Sequence, residues 1–470
     1  MVREIVQKYD QKSPMEFRME LFEELKKRKK SAVIAFGPPG VGKTEAILQA
    51  AEMYVEWLAG RVKRMKRIVV QTFEQVDLEK WTSTSKLKEL VKENFLIKII
   101  RLYTLQPGEL KGRLVHVQVK DEKGNIVGMF STYAIPSFVK FFIIDTGDVD
   151  DEYTRGIIVI DEITNEPRDY ILAEAYQILL DKMFGEVKIP DNRVLIVATG
   201  NTPEHSSLAR ALPWPLLNRA RIIFVKAPSV EEWSWYMSER FGSLWATEVA
   251  AFLKKFPSMI LKLPETSSGV VAAEGFTPFP TPRSWTQLAV DPYELLIGEL
   301  GEKELLEKVE TPEIKSKVIE RLKQVACSYV GAEAGDQFRT FLNIVTRIPD
   351  PETVLEKPEE VIPKLFYDDR ALELILLTAL STTSRVIAFC TYETNKDKKI
   401  EMMIKLIKVM SIISRKFADV AGYTINVIKA AKLGDILLDA LNKAQSEKDI
   451  SQYVREYLQR LAKTVIYRPI

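Results

Sequence analysis

The chain has 470 residues, of which 46% are hydrophobic, and at this length about three domains with a sizeable core are expected. Its 67 Lys and Arg against 65 Asp and Glu leave a net charge of +2, which excludes any global pull toward nucleic acid or an acidic membrane. No long uncharged apolar run stands out and the start MVREIVQKYD lacks a signal core, so no membrane span and a reducing, cytoplasmic setting are expected.

Residues 1–30 read as a helical lead-in, with a charged helix over Glu16 to Lys30. Its basic end, Lys26-Lys27-Arg28-Lys29-Lys30, reads as a solvated helix end rather than a phosphate contact. From 31 to 226, apolar runs alternate with helical stretches. The candidate strands are 32–36, 97–103, 157–160, 194–198 and 222–225. Continuous apolar runs of this kind are buried on both faces, so an α/β fold around a parallel sheet is expected.

The first strand leads into Gly37-Pro38-Pro39-Gly40-Val41-Gly42-Lys43-Thr44, and a helix-forming run follows from Glu45. Strand, glycine loop and helix are the setting of a phosphate-binding loop. The glycines let the backbone turn its N–H groups toward phosphate oxygens, and the helix N-terminus adds partial positive charge. Lys43 suits the β- and γ-phosphates, and the Thr44 hydroxyl suits Mg²⁺.

Residues 52–95 exceed a simple crossover and read as an insertion with a helix and an extra strand. They hold a second basic cluster at 61–67, which reads as a solvated face. Residues 113–133 read as a hairpin, turning through Glu122-Lys123-Gly124-Asn125. The stretch GIIVIDEI at 156–163 places Asp161 and Glu162 at a strand's carboxyl end, the ligand edge of an open α/β sheet. There Asp161 suits Mg²⁺, and Glu162 suits polarisation of an attacking water. The run from Val194 ends in Thr199-Gly200-Asn201, whose amide suits the water or the γ-phosphate. Past Asn218, Arg219 lies where it suits entry into a neighbour's site.

Residues 227–301 turn helical, opening on a capping box at Ser229 and Glu232. The Trp233-Ser234-Trp235-Tyr236 cluster has helical spacing and reads as core rather than a stacking platform for bases. A Pro, Gly and Thr-rich stretch from Leu263 to Pro282 reads as a loop, and 302–470 is helical with a break at Pro349 to Pro358. Cys327 and Cys390, with His116 and His205, show no metal-ligand spacing, and the cysteines read as small buried hydrophobes.

Together these residues resemble the AAA+ superfamily, and most closely MoxR-like ATPases. The closer match rests on Pro107-Gly108-Glu109-Leu110-Lys111-Gly112, which is similar to a PxxLxG stretch, and on the hairpin position. It also rests on Ala198-Thr199-Gly200-Asn201-Thr202-Pro203, similar to ATxNP, and on Phe279-Pro280-Thr281-Pro282-Arg283-Ser284-Trp285, similar to a sensor-2 motif opening a lid helix. The resemblance spans about 31–290. It implies a P-loop NTPase (AAA+) core at 31–226, a helical lid at 227–301 and a further helical region at 302–470.

By that resemblance Lys43 and Thr44 are the Walker A residues, and Asp161 and Glu162 the Walker B pair. Asn201 is sensor 1, Arg219 the arginine finger and Arg283 sensor 2, with Arg221 and Arg210 as rival fingers. The cofactors implied are ATP and Mg²⁺. The implied assembly is a homo-oligomer, a hexameric ring. The implied work is chaperone-like remodelling of a protein substrate, including partners with a von Willebrand factor A domain. A nucleic-acid motor is the alternative, carried by the basic clusters at 26–30 and 61–67.

Overall fold

The apolar runs of the first half pair side by side, and the periodic helices of the second half pack on one another. The computed structural model describes residues 10–61, 68–75, 83–147, 153–203, 206, 209–264, 277–309, 311–345, 348–368 and 370–444. The basic residues 62–67, His205, most of the loop expected at 263–282 and the segment 445–470 lie outside the described residues. The chain divides into two units, Met1–Ala227 and Pro228–Ile470.

In the first unit Ser13 opens α1 (Pro14–Lys26): its hydroxyl accepts from Glu16 N, and the Glu16 carboxylate accepts from Ser13 N. Then follow β1 (Val33–Phe36), α2 (Lys43–Arg61), β2 (Val69–Thr72), α3 (Thr84–Glu93) and β3 (Asn94–Arg101). A hairpin of β4 (Arg113–Lys120) and β5 (Ile126–Ala134) precedes α4 (Val139–Ile143), β6 (Gly156–Asp161) and α5 (Asp169–Asp181). The unit closes with β7 (Met183–Phe184), β8 (Val187–Lys188), β9 (Val194–Gly200), α6 (Trp214–Leu217) and β10 (Arg221–Phe224). Six strands form one sheet in the order β10-β1-β9-β6-β3-β2, and every neighbouring pair in it is parallel.

Successive strand residues point to opposite faces. Ile34, Ile158, Ile160 and Ile196 join one core with residues of α3, α4 and α5. Residues of the other parity, such as Ala35, Ile157, Val159 and Leu195, are just as buried. On that face Tyr54 of α2 meets Phe95 with ring centroids 5.7 Å apart, and its hydroxyl accepts from Thr154 N at 3.2 Å. Two buried faces explain why these strands lack polar alternation.

Two boundaries differ from expectation. The strand expected at 97–103 runs over Asn94–Arg101, because Asn94 ends α3 by donating Nδ2 to Leu90 O and Leu102–Thr104 forms a 3-10 turn. The stretch 52–95 first continues α2 to Arg61, then supplies the edge strand β2 and the helix α3.

The basic run that follows α1 is not wholly solvated. Lys30 is buried, and its Nζ donates to Lys27 O and Asn192 O, both at 2.7 Å. Lys182 is also buried and donates to Lys30 O at 3.3 Å and Asp191 O at 3.1 Å. Burial, reinforced by the Lys182 charge, lowers the Lys30 pKa to about 7.

The second unit is helical: α7 (Val230–Phe241), α8 (Thr247–Lys255), α9 (Pro282–Leu300), α10 (Glu302–Lys308), α11 (Pro312–Val330) and α12 (Ala332–Val345). Then come α13 (Pro351–Glu356), α14 (Pro358–Leu365), α15 (Ala371–Tyr392), α16 (Lys396–Ser414), α17 (Ala418–Ala430) and α18 (Gly434–Ala444). One continuous apolar core runs from Val230 to Ala444, so the helices before and after residue 301 share it. The expected capping box at Ser229 and Glu232 is present. Trp233 is buried edge-on against Trp245, and its Nε1 donates to Thr286 Oγ1 at 2.9 Å, which makes it core. The helix Ala371–Thr391 is long and apolar enough by composition to cross a membrane, but it carries Glu373 and Arg385 and 83% of its apolar window is buried inside the unit, as in a core helix.

Candidate functional site

The carboxyl ends of β1, β9 and β6 lie side by side, and the polar residues that follow them converge there. After β1 the chain enters the loop at Gly37. A side chain on Gly37 would place its Cβ 2.2 Å from Val225 O, so only glycine lets the loop pass β10 this closely. Gly37 N donates to Gly200 O at 3.2 Å, which ties the loop to the end of β9. Gly42 has φ +98°, and α2 begins at the next residue with Ala46 N donating to Gly42 O at 2.9 Å. The helix therefore starts with Lys43 and Thr44 in its first turn, where unpaired N–H groups favour an anion.

Lys43 Nζ donates to Gly37 O at 2.7 Å and to Pro38 O at 2.8 Å, and lies 3.4 Å from Asn201 Oδ1. The structure thus brings the loop lysine and the asparagine after β9 to one point. Asn201 is held from behind, since its N donates to the buried Thr164 Oγ1 at 2.9 Å.

The two carboxylates stand on the next strand. Asp161 ends β6 and is half-buried; Glu162 is exposed and left-handed, at φ 57° and ψ 40°. Thr199, buried in β9, links both: its hydroxyl donates to Asp161 Oδ1 in a short contact and accepts from Glu162 N at 3.2 Å. Asp161 Oδ2 and the Glu162 carboxylate have no hydrogen-bond partner among the described residues. Among those residues no three His, Cys, Asp or Glu gather into a metal cluster, so a cation here would rest on Asp161, Thr44 and phosphate oxygens. One carboxylate, one hydroxyl and phosphates fit Mg²⁺, which keeps several waters and takes few protein ligands.

The turn after Glu162 is anchored by an ion pair between the buried Glu166 and the half-buried Arg168. Arg168 donates Nε to Glu166 Oε1 at 2.5 Å and Nη2 to Glu166 Oε2 at 2.8 Å. The same guanidinium donates to Leu105 O and Leu102 O, both at 2.8 Å, tying this turn to the segment that leads into the hairpin. Its hydrogen bonds hold the Glu166 carboxyl below the usual range.

The arginines separate. Arg221 pairs with Glu20 in a short contact and with Glu24 at 3.7 Å, so it is committed within its own unit. Arg210 is exposed, with Nη1 3.4 Å from Asp169 Oδ1 and its backbone N donating to Thr164 O. Arg219 is exposed, and its guanidinium has no partner among the described residues. Arg283 is exposed in the first turn of α9, in the second unit.

Thr164 lies in no motif, and Thr199 lies in the Ala198–Pro203 stretch without a role of its own assigned there. Their signal is positional: β9 runs parallel to β6 with Ala198 opposite Ile160, which puts Thr199 level with Asp161.

No family model matches the chain, and no curated protein matches it in sequence. Among solved structures it is similar to the ORC2 protein of Aeropyrum pernix at 11% identity, covering 97% of each chain, with a TM-score of 0.26. It is similar to NtrX of Brucella abortus in complex with ATP at 14% identity, covering 87% of this chain and 69% of that one, with a TM-score of 0.28. The likeness to PCH-2 of C. elegans has 12% identity, 66% coverage of both chains and a TM-score of 0.23. At these values the site is read from its own geometry.

Proposed function

We propose that the protein binds ATP with Mg²⁺ at Gly37–Thr44 and hydrolyses it, as a MoxR-like AAA+ ATPase whose copies form a ring. The observation that carries this is the meeting of Lys43, Asn201, Asp161 and Glu162 at the carboxyl ends of adjacent parallel strands. Thr44 and Asp161 are the residues to hold Mg²⁺, which supplies charge neutralisation on the phosphate oxygens.

Glu162, exposed and unpaired, takes the proton of the attacking water as its oxygen bonds to the γ-phosphorus. The bond from the γ-phosphorus to the β–γ bridging oxygen breaks, and ADP and phosphate leave. Lys43 exchanges its loop carbonyls for phosphate oxygens and offsets their charge. Asn201, pinned by Thr164, orients the water or the γ-phosphate. Arg219 enters the site of a neighbouring copy, and Arg283 acts as sensor 2.

The work goes into remodelling protein partners. The hairpin supports this. On one face Val115, Val117, Val119 and Phe130 form an exposed apolar strip. Such a strip suits a protein chain better than a phosphate backbone.

The test is steady-state ATP hydrolysis at several protein concentrations, with and without single- and double-stranded DNA. Glu162→Gln is expected to bind nucleotide within about three-fold of wild type while kcat falls by about 100-fold or more. Arg219→Ala is expected to bind nucleotide but lose the gain in rate that comes with protein concentration. Normal turnover in Glu162→Gln removes that residue from its role. Stimulation by DNA that fades as salt rises would favour a nucleic-acid motor instead.

A further inference from the structure

Thr199 carries the one side-chain hydroxyl of β9, whose other residues are apolar or glycine. It is 1% exposed, at the penultimate position of β9. Because β9 and β6 are parallel and Ala198 lies opposite Ile160, the Thr199 side chain comes level with Asp161. Its single hydroxyl makes two bonds. An ionised carboxylate only accepts, so the hydroxyl proton points to Asp161 Oδ1, and a lone pair of the same oxygen receives Glu162 N at 3.2 Å.

Both bonds fall on residues assigned to the chemistry. The first commits one carboxylate oxygen of Asp161 and leaves Oδ2 for a metal or its water. The second holds Glu162 at φ 57°, a conformation that non-glycine residues seldom adopt. A residue in that region persists only where its surroundings fix it. The neighbouring Thr164 serves differently: its Oγ1 receives Asn201 N and its carbonyl receives Arg210 N. The two threonines divide the labour, Thr164 bracing the asparagine and Thr199 bracing the Asp161 carboxylate and the Glu162 backbone.

We propose that Thr199 is a positioning residue whose one hydroxyl sets the metal-bearing carboxylate of Asp161 and the water-activating Glu162 in fixed relation. The proposal rests on the ATP-hydrolysis reading. It adds that metal use and proton transfer are tuned by the same group. Thr199→Val keeps shape and volume and removes both hydrogen bonds. Thr199→Ser keeps the hydroxyl and loses only a methyl.

The experiment uses the full chain with Thr199 as wild type, Val, Ser and Ala, and reads two quantities. The first is equilibrium binding of a fluorescent ATP analogue as Mg²⁺ is titrated from an EDTA-treated start. The second is steady-state hydrolysis, resolved into kcat and KM. In EDTA, Thr199→Val is expected to bind the analogue within about two-fold of wild type. Its half-saturating Mg²⁺ concentration is expected to rise about ten-fold. Its kcat is expected to fall by about 100-fold with KM little changed.

Thr199→Ser is expected to recover most of both losses. If Val does not fold, as judged by its melting profile, Ala takes its place with the same expectations. Wild-type Mg²⁺ dependence and kcat in the Val or Ala variant would overturn the role of Thr199. A Ser variant as poor as Val would do the same by showing that the methyl, and so packing, is what matters. A wild-type chain whose nucleotide binding ignores Mg²⁺ and which does not turn over would overturn the ATPase reading, and Thr199 would fall with it.

Discussion

Two strand pairs in the first unit both carry branched apolar residues and meet opposite fates. The pair β6 and β9 is rich in Ile and Val and is buried almost throughout. The pair β4 and β5 also carries Val115, Val117, Val119, Ile126 and Val127, but in β4 they alternate with Leu114, His116, Gln118 and Lys120, and every residue of β4 is exposed. Branched apolar side chains favour strands in both places. Alternation and pairing both differ. The parallel strands have neighbours on both sides and helices over both faces, whereas the hairpin forms a two-stranded sheet of its own. A lone hairpin with an apolar face is marginal in water and leaves edges open. The lesson is that apolar content in this unit serves two ends. In the sheet it fixes the strands so that their polar ends meet. In the hairpin it stays exposed to solvent.

The harshest break of this comparison is a charge in the buried pair. Ile158 lies fully buried in β6, two strands from the glycine loop. Ile158→Asp places an unpaired carboxylate there and is expected to cost more than about 4 kcal/mol, enough to unfold the first unit. Loss of the cooperative melting transition and of nucleotide binding together would show it. A soluble variant with wild-type melting would mean that the sheet core is looser than its burial suggests.

A milder break concerns how the unit is sewn together behind the sheet. Lys30 is buried beside Lys182, and its pKa is lowered to about 7. In the unfolded chain the same group titrates near its ordinary value, about 10.5. Between these values the unfolded state binds the extra proton, so stability rises with pH from about 7 upward. Lys30→Met removes the titration. Wild type is therefore expected to gain on the variant as pH rises from 7 to 9, by at most about 1.4 kcal/mol per pH unit. Denaturant melts of both proteins at each pH measure the gap, and a gap independent of pH would place the Lys30 charge in solvent.

These contrasts also mark what was legible in the chain itself. The loop from Gly37 to Thr44 and the pair Asp161-Glu162 could be read because their chemistry is local: strand, turn and polar end are contiguous. Lys43 meeting Asn201 followed from both residues sitting at the carboxyl edge of a parallel sheet. Thr199 had no visible role, because its partners are 37 and 38 residues away and are brought level only by strand register. The commitment of Arg221 to Glu20 was hidden for the same reason, the two lying 201 positions apart. Lys30 read as solvated because its run is basic, yet its partner Asn192 O comes from the loop before β9. The apolar helix α15 holds Glu373, Arg385 and a run of hydroxyls, several of which, such as Thr382 and Thr383, return their hydrogen bond to the preceding turn, so its burial in the core shows only in the fold.

The gentlest break falls on the hairpin and sharpens the comparison most. Val117 in β4 is opposite Phe130 in β5, on the face that also carries Val115 and Val119. Val117→Asp puts a charge in the middle of an exposed strip, so it removes little burial. Stability is expected to change by no more than about 0.5 kcal/mol, against unfolding for the same charge in β6. Basal ATP turnover is expected to stay within about two-fold, while binding of a hydrophobic dye such as ANS falls. That set of results would separate the two strand pairs: one needed for the site to exist, the other dispensable for it and free to meet a partner. A large loss of stability in Val117→Asp would mean instead that the strip is already covered, with the first unit folding around it.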